Sequence, residues 1–338
     1  VNLFGKEITP KSPPLFVAEI SCNHGGSLER AKDTMLAAKL AGADAVKIQC
    51  YTPDEMTTNN GFLAKGGPWD GRDLYALYYK TQTPLDWMES LFDFAETNQI
   101  NLFASVFGED GLQRLEYNHC PAYKIASFEF NDTELITKVV KTGKPLLLST
   151  GTATPEEINR AISIINPANS CLMHCVSKYP HPLDEANLWK IDFLKGFYPI
   201  VVGFSDHCDD MGAMLGAVAK GAKIIEKHFQ NDTLGVTSED QEFSLYPEEF
   251  EHYKKMGLAA WSAGQKTPYD TEKDSRQFRR SLYVVKDIKE GEMLTPENIR
   301  SIRPSYGMEP YKYKNVLGRV AKTNIKAGTP LKGDMYYD

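Results

Sequence analysis

A small set of residue types stands in this chain where chemistry would use it. His207 closes the triplet Ser205-Asp206-His207, and His228 closes Glu226-Lys227-His228, each at the end of a short apolar run. Two imidazoles on one rim can hold a divalent metal. Glu226 and His228 are two apart, so on a strand they face the same side. A satisfied core histidine is the plainer reading for either alone; the pair favours a metal. His119, His181 and His252 fall in loops or on helices and are given no role. Lys47 and Lys124 lie in the middle of the apolar runs AVKIQ and YKIAS. An ammonium there is costly unless it is paired or bound to an anion. With Ser127 and Ser149 near the same rim, the two lysines make a phosphate cradle, in which lysine acts as a point charge and the hydroxyls donate. A Schiff-base lysine is one rival reading; structural lysines paired with Glu129 and Glu226 are another. Glu19 is the carboxylate of the first run. Partial burial would raise its pKa and let it exchange protons near neutrality, and pairing with Lys47 is compatible with that.

These residues belong to eight short apolar runs, at 15–21, 45–50, 100–107, 122–127, 145–150, 170–176, 200–206 and 223–229. Amphipathic stretches of helical length separate them. Ser27 is an expected helix N-cap, Ala41-Gly42 an expected stop, and residues 247–264 the closing helix. Alternating buried strands and helices predict an α/β fold, a closed (β/α)₈ TIM barrel whose chemistry sits at the C-terminal strand ends. Glu19, Lys47, Ser105, Lys124, Ser149, Ser205, His207 and His228 fall there. The connection between the second and third runs is too long, and its surplus, residues 57–81, is rich in Gly and aromatics. An insertion after a barrel strand lands over the mouth, so a lid or specificity loop is expected.

The domains expected are a barrel over 1–264, a polar linker over 265–281 and a small β-rich module over 282–338. The module contains an internal echo, DIKEGEMLTPENI (287–299) against NIKAGTPLKGDMY (324–336). The chain has 338 residues, ordinary globular composition and a net charge of -7, which argues against nucleic-acid binding without excluding an anionic substrate. Six scattered cysteines without a CxxC pair point to reduced, buried thiols in a cytoplasmic protein. The N-terminal residues lack the order of a signal peptide, and no apolar run approaches a membrane span.

EISCNHGGSLERAK, GADAVKIQ, PAYKIASFE, PLLLSTG, SKYPHP, GFSDH, EKHF and SLYVVKDIKEGEMLTPENIRSIRP together resemble the sialic acid synthase family, over nearly the whole chain. The tail module resembles that family's antifreeze-like (SAF) domain. Within the family, LYALYYKTQTPLDW, KIASFE and DQEFSLYPEEF are most similar to pseudaminic acid synthases. The resemblance implies that phosphoenolpyruvate condenses with an acylated amino sugar, with phosphate release by C–O cleavage, to a nine-carbon 2-keto sugar acid. It implies catalysis by Glu19, Lys47 and Lys124. Phosphoenolpyruvate contacts would come from Lys47, Ser105, Lys124, Ser127 and Ser149, and sugar contacts from Glu129, Tyr179, Ser205, Asp240 and Arg303. It further implies a divalent metal on His207 and His228, Mn²⁺ before Mg²⁺ or Co²⁺. Two imidazoles select poorly for manganese, so water and substrate oxygens would complete the shell. Arg303 would reach into the barrel of a partner subunit in a domain-swapped homodimer. The chain departs from the family at Val106, where a proline is usual, at Cys208, where SDHT is usual, and at Ser177, where sialic acid synthases carry asparagine. An N-acetylneuraminic or legionaminic acid synthase, a Schiff-base barrel aldolase and a carbohydrate-binding protein remain alternatives.

Overall fold

The computed structural model describes residues 1–66, 69–231, 238–265 and 272–337. The chain divides into two compact units, Val1–Gln265 and Lys266–Asp338. The expected linker of 265–281 falls partly outside the described residues; Lys273–Phe278 within it form a 3₁₀ turn.

In the first unit, β1 (Leu15–Glu19), β2 (Ala45–Cys50), β3 (Leu102–Val106), β4 (Tyr123–Ile125), β5 (Leu146–Ser149), β6 (Ser170–Cys175), β7 (Val201–Asp206) and β8 (Ile224–His228) close into a parallel barrel in chain order, β8 pairing with β1. These strands are buried on both faces, which is why they read as unbroken apolar runs rather than alternating ones. The intervening helices are Leu28–Leu40, Met88–Thr97, Glu109–Tyr117, Thr133–Val140, Pro155–Ile164, Trp189–Phe197 and Met211–Ala219, and Pro247–Ala263 follows β8. Their starts obey local chemistry. The Ser27 side chain accepts from Arg30 N–H, and Thr154 forms a capping box with Glu157 ahead of Pro155. A two-stranded N-terminal hairpin, Asn2–Leu3 with Lys6–Glu7, adds Leu3 and Ile8 to the core.

Register positions the chemistry. Glu19 pairs with Lys47 on one side and His228 on the other. Ser105 pairs with Gln49 and Lys124, and Ser205 with Glu226. Residues side by side in a parallel ladder point to the same face, so these pairs form a layer across the barrel lumen.

The excess connection after β2 folds as a short capped helix, Pro53–Met56, a bridge between Leu63 and Asp73, and a helix, Leu74–Thr81, capped by Asp73. In the second unit, the strand Ser281–Val284 pairs antiparallel with Ile299–Ile302. Leu282, Val284, Leu294, Ile299, Ala321 and Leu331 supply much of its own core. The two halves of the sequence echo meet each other. Ile288 and Ile325 exchange both backbone hydrogen bonds, and Gly291 and Gly328, at matching places in the echo, take φ of +80° and +87°. A side chain at either place would be strained.

Candidate active site

The C-terminal ends of the barrel strands open onto a hollow of about 460 Å³. Glu19, Lys47, Ser105, Lys124, Ser127, Glu129, Ser149, Tyr179, Ser205, His207, His228 and Asp240 all line it. Arg303 does not. It lies in the second unit, exposed, beside Arg279, Arg280 and Phe278 at a separate hollow.

The floor is a compact ion network. Lys124 Nζ lies 3.0 Å from both carboxylate oxygens of Glu226. Lys47 Nζ is 2.6 Å from Glu19 Oε2 and 3.6 Å from Glu226 Oε1, and it donates to Ser105 Oγ at 2.8 Å. Ser205 Oγ donates to Glu226 Oε1 at 3.0 Å. All four charged side chains are buried. Burial works to raise the Glu226 pKa, but Lys124 and Lys47 outweigh it and hold the carboxylate far below its usual range. At Glu19 burial prevails over the attraction of Lys47, and the nearby Glu226 charge adds to it, so its pKa is raised. Glu226 is therefore kept ionised while burial raises the pKa of its neighbour Glu19, opposite shifts in two adjacent carboxylates. Burial also lowers the Lys124 pKa, whereas the two glutamates overcome burial at Lys47 and raise it. The lysines are thus paired with Glu19 and Glu226. Glu129, the partner expected for one of them if the lysines were structural, holds neither. Its Oε2 is buried without a hydrogen-bond partner, and burial raises its pKa to about 7.

His207 and His228 stand with ring centroids 5.6 Å apart. His207 Nδ1 lies 2.8 Å from the Val176 carbonyl oxygen, so Nδ1–H donates there and Nε2, 3.4 Å from Ser205 Oγ, carries the lone pair. His228 Nδ1 has no hydrogen-bond partner and lies 3.6 Å from Asp240 Oδ2. Burial lowers the His207 pKa to about 3, and burial with the neighbouring His207 takes His228 well below its ordinary value. Both are neutral imidazoles at physiological pH, the form that binds metal. Among the described residues there is no cluster of three or more His, Cys, Asp or Glu arranged as metal ligands. The pair fits a divalent ion that takes its other ligands from water and substrate.

A second corner of the hollow is built for close approach. Ser127 and Ser149 line it, and Ser127 Oγ lies 3.0 Å from Cys175 Sγ. A Cβ on Gly151 would come under 3.0 Å from Ser177 Oγ, Cys175 Sγ and Ser127 Oγ. The Ser177 hydroxyl is buried without a partner. Hydroxyls converging on a bare backbone suit an oxyanion such as phosphate.

The rim is largely aromatic. Tyr179 packs over His207 at 4.2 Å between centroids and takes Trp69 on another side at 5.9 Å. Phe243 packs on His228 at 4.8 Å. Met56, Trp69, Leu74, Leu77 and Tyr78 bring the insertion to the hollow, as expected of a loop after a barrel strand. Asp240 accepts from Ser21 Oγ, and burial raises its pKa to about 6. Sequence reasoning missed Gln49, Ser21 and Glu239. Gln49 Nε2 donates to Ser21 Oγ at 2.9 Å and approaches Glu19 Oε1 at 3.3 Å. Its place two residues after Lys47 on the same strand was the available signal. At Val106, the usual proline is replaced without loss of Ser105 from the hollow. Cys208 is buried, and its Sγ accepts from Asp210 N–H at 3.4 Å.

The profile of the NeuB family matches residues 34–266, and that of the SAF domain matches residues 279–336. The chain is 42% identical over 325 residues to a pseudaminic acid synthase of Campylobacter jejuni, covering 94% of both chains. It is 41% identical to a pseudaminic acid synthase of Helicobacter pylori, covering 95% of this chain and 97% of that one. A crystal structure of an N-acetylneuraminic acid synthetase from Leptospira borgpetersenii superposes with a TM-score of 0.73 at 30% identity, over 81% of this chain and 94% of that one.

Proposed function

The chain belongs to the NeuB family, and from that premise we propose that it is a phosphoenolpyruvate-dependent synthase of nine-carbon 2-keto sugar acids, of the pseudaminic acid type. Phosphoenolpyruvate C3 attacks the open-chain aldehyde of an acylated amino sugar, whose oxygen takes up a proton. Water adds at C2 and loses a proton, and phosphate departs with its bridging oxygen to leave the 2-keto acid. The observation that carries the proposal is the placing of a buried two-lysine floor beside two neutral imidazoles in one hollow.

Lys47, Lys124, Ser105, Ser127 and Ser149 hold the phosphoenolpyruvate anions by charge and hydroxyl donation. Glu19, with its raised pKa, takes the proton from the attacking water. Glu226 holds both ammonium groups in place and opposes the burial that lowers the Lys124 pKa. Glu129, Tyr179, Ser205 and Asp240 face the sugar. His207 and His228 would hold a divalent ion, Mn²⁺ by preference and otherwise Mg²⁺ or Co²⁺, which would supply Lewis-acid polarisation of the aldehyde. Lys124 is held by both oxygens of Glu226, an arrangement that favours an anion-binding role over a Schiff base.

The apolar wall of Met56, Leu74, Leu77 and Tyr78 supports a sugar rich in methyl groups, such as a 6-deoxy-2,4-diacetamido hexose. Residues 1–265 carry 23 Lys and Arg against 35 Asp and Glu, whereas residues 266–338 carry 15 against 10. That opposition of charge supports a homodimer in which Arg303 serves the partner's hollow. All six cysteines are unpaired and buried, in keeping with a cytoplasmic enzyme. Among the described residues no helix is long and apolar enough to cross a membrane.

The test is phosphate release from phosphoenolpyruvate with a panel of amino sugars, with and without chelator. Metal-dependent release is expected, fastest with the 6-deoxy diacetamido sugar. A complete lack of release under added manganese refutes the synthase. Covalent trapping of Lys47 or Lys124 by borohydride would support the aldolase instead, and sugar binding that survived deletion of the barrel would support a binding protein.

A further inference from the structure

Three consecutive residues after β8 fasten the rim to two segments, the loop after β1 and the insertion after β2. Ser238 Oγ donates to Asn23 Oδ1, in the loop after β1. Asp240 receives Ser21 Oγ. Between them, Glu239 reaches the insertion, where its Oε2 accepts from Arg72 Nη1 and its Oε1 from Lys80 Nζ at 2.8 Å. Glu239 is mostly buried, its side chain 16% exposed, and of its two partners Arg72 lies between Trp69 and Leu74 and Lys80 follows Leu77 and Tyr78. Those side chains line the hollow, and Trp69 lies against Tyr179, which packs on His207.

We propose that Glu239, clasped by Arg72 and Lys80, is a positioning residue for the sugar: it fixes the insertion across the mouth and holds Asp240 in register beside the histidine pair. The proposal rests on the reading of the site as a sugar acid synthase. Its physical basis is connectivity. Among the described residues the ion pairs between the insertion and the rim loop are those of Glu239 with Arg72 and Lys80, so loss of that charge loosens an apolar wall whose far end is tied to the barrel by Tyr51 Oη and Thr81 Oγ1 at 2.9 Å. The hydrogen bonds of the clasp join Glu239 to Arg72 and Lys80 and to none of Lys47, Lys124, Ser105, Ser127 or Ser149, so it acts on the sugar before phosphoenolpyruvate. Two charge-assisted hydrogen bonds at a partly exposed site also weaken with salt.

The experiment uses the full chain with manganese and separates the two substrates. Glu239→Gln keeps the shape and removes the charge. It is expected to raise the sugar KM about tenfold, to leave the phosphoenolpyruvate KM within about twofold and to leave the melting temperature unchanged. Hydrogen exchange over residues 69–81 should quicken in the same variant while the barrel strands keep their protection. The sugar KM of the unsubstituted chain should rise with ionic strength, and that of Glu239→Gln should not. Inverting all three charges, R72E with K80E and E239R, should recover most of the lost sugar affinity, which a role in folding alone would not produce. An unchanged sugar KM, or equal increases in both KM values, overturns the clasp. Complete lack of phosphate release from the unsubstituted chain would instead overturn the synthase reading, and the exchange of residues 69–81 would still report whether the clasp holds the insertion.

Discussion

Glu129 offers a test in which stability and activity must move in opposite directions. Its Oε2 is buried without a partner at the mouth of the hollow, and burial raises its pKa from 4.5 to about 7. The folded protein therefore holds this proton more tightly than the unfolded chain does. The protonated carboxyl adds stability that is complete below about pH 4.5 and is lost as pH rises through about 7, a span worth about 3 kcal/mol. Glu129→Gln has the same shape and stays neutral at every pH. It should match the parent in thermal unfolding near pH 4.5 and exceed it at pH 8 by about 3 kcal/mol, or about 6 °C for a unit of this size. Activity should respond the other way. An ionised carboxylate is the stronger acceptor for a sugar hydroxyl, so the parent's sugar KM should fall as pH rises through about 7. The glutamine variant should lack that inflection and bind the sugar about tenfold to a hundredfold more weakly at pH 8. Calorimetric scans at pH 4.5, 6 and 8 and sugar KM values at the same pH settle both halves. A stability difference that did not vary with pH would refute the burial argument, and identical KM profiles would show that Glu129 does not face the sugar.

Other perturbations reach the floor and the metal pair. Glu226→Gln leaves Lys47 and Lys124 to share one remaining carboxylate, so it should cost about 3–5 kcal/mol in denaturant unfolding; adding Lys124→Met should restore much of that stability while phosphate release stays abolished. His207→Ala should weaken manganese binding at least about tenfold, read by paramagnetic resonance of the free ion, with phosphoenolpyruvate affinity retained. Gly151→Ala places a methyl group among Ser127, Cys175 and Ser177, and it should raise the phosphoenolpyruvate KM about tenfold with the sugar KM little changed.

The strands were legible because each is buried on both faces, so a lysine or glutamate in an apolar run had to mean a partner or a ligand. The partner was legible only in part: Glu19 for Lys47 and Glu226 for a lysine could be named, but Glu129 was named with them and pairs with neither. Register decides it, and a run such as AVKIQC carries no mark of which neighbour lies beside it; hence Lys47 meets Glu19 and Glu226 while Glu129 meets neither lysine. The tail's echo was visible as a repeat, yet only folding reveals that Ile288 and Ile325 pair with each other. Glu239 left no signal at all. It is an ordinary acidic residue in a polar loop, and its partners lie 159 and 167 positions earlier.

That difference in legibility follows the division of work within the hollow. Floor residues stand on strands, where the hydrogen-bond ladder fixes each Cα and neighbouring side chains meet by register. The N-acetylneuraminic acid synthetase of Leptospira borgpetersenii keeps this architecture at 30% identity. A floor so rigidly held suits the anionic substrate of the proposed reaction, phosphoenolpyruvate. The rim is carried by the insertion and by the segment after β8, and its geometry depends on contacts such as Glu239 with Arg72 and Lys80 that a few substitutions can rewrite. A change of sugar then requires rewriting loops while the barrel stays intact. Grafting residues 57–81 alone from a synthase of another sugar should therefore weaken both sugars, because the grafted loop would lack its partner carboxylate; grafting it together with 238–243 should transfer the preference.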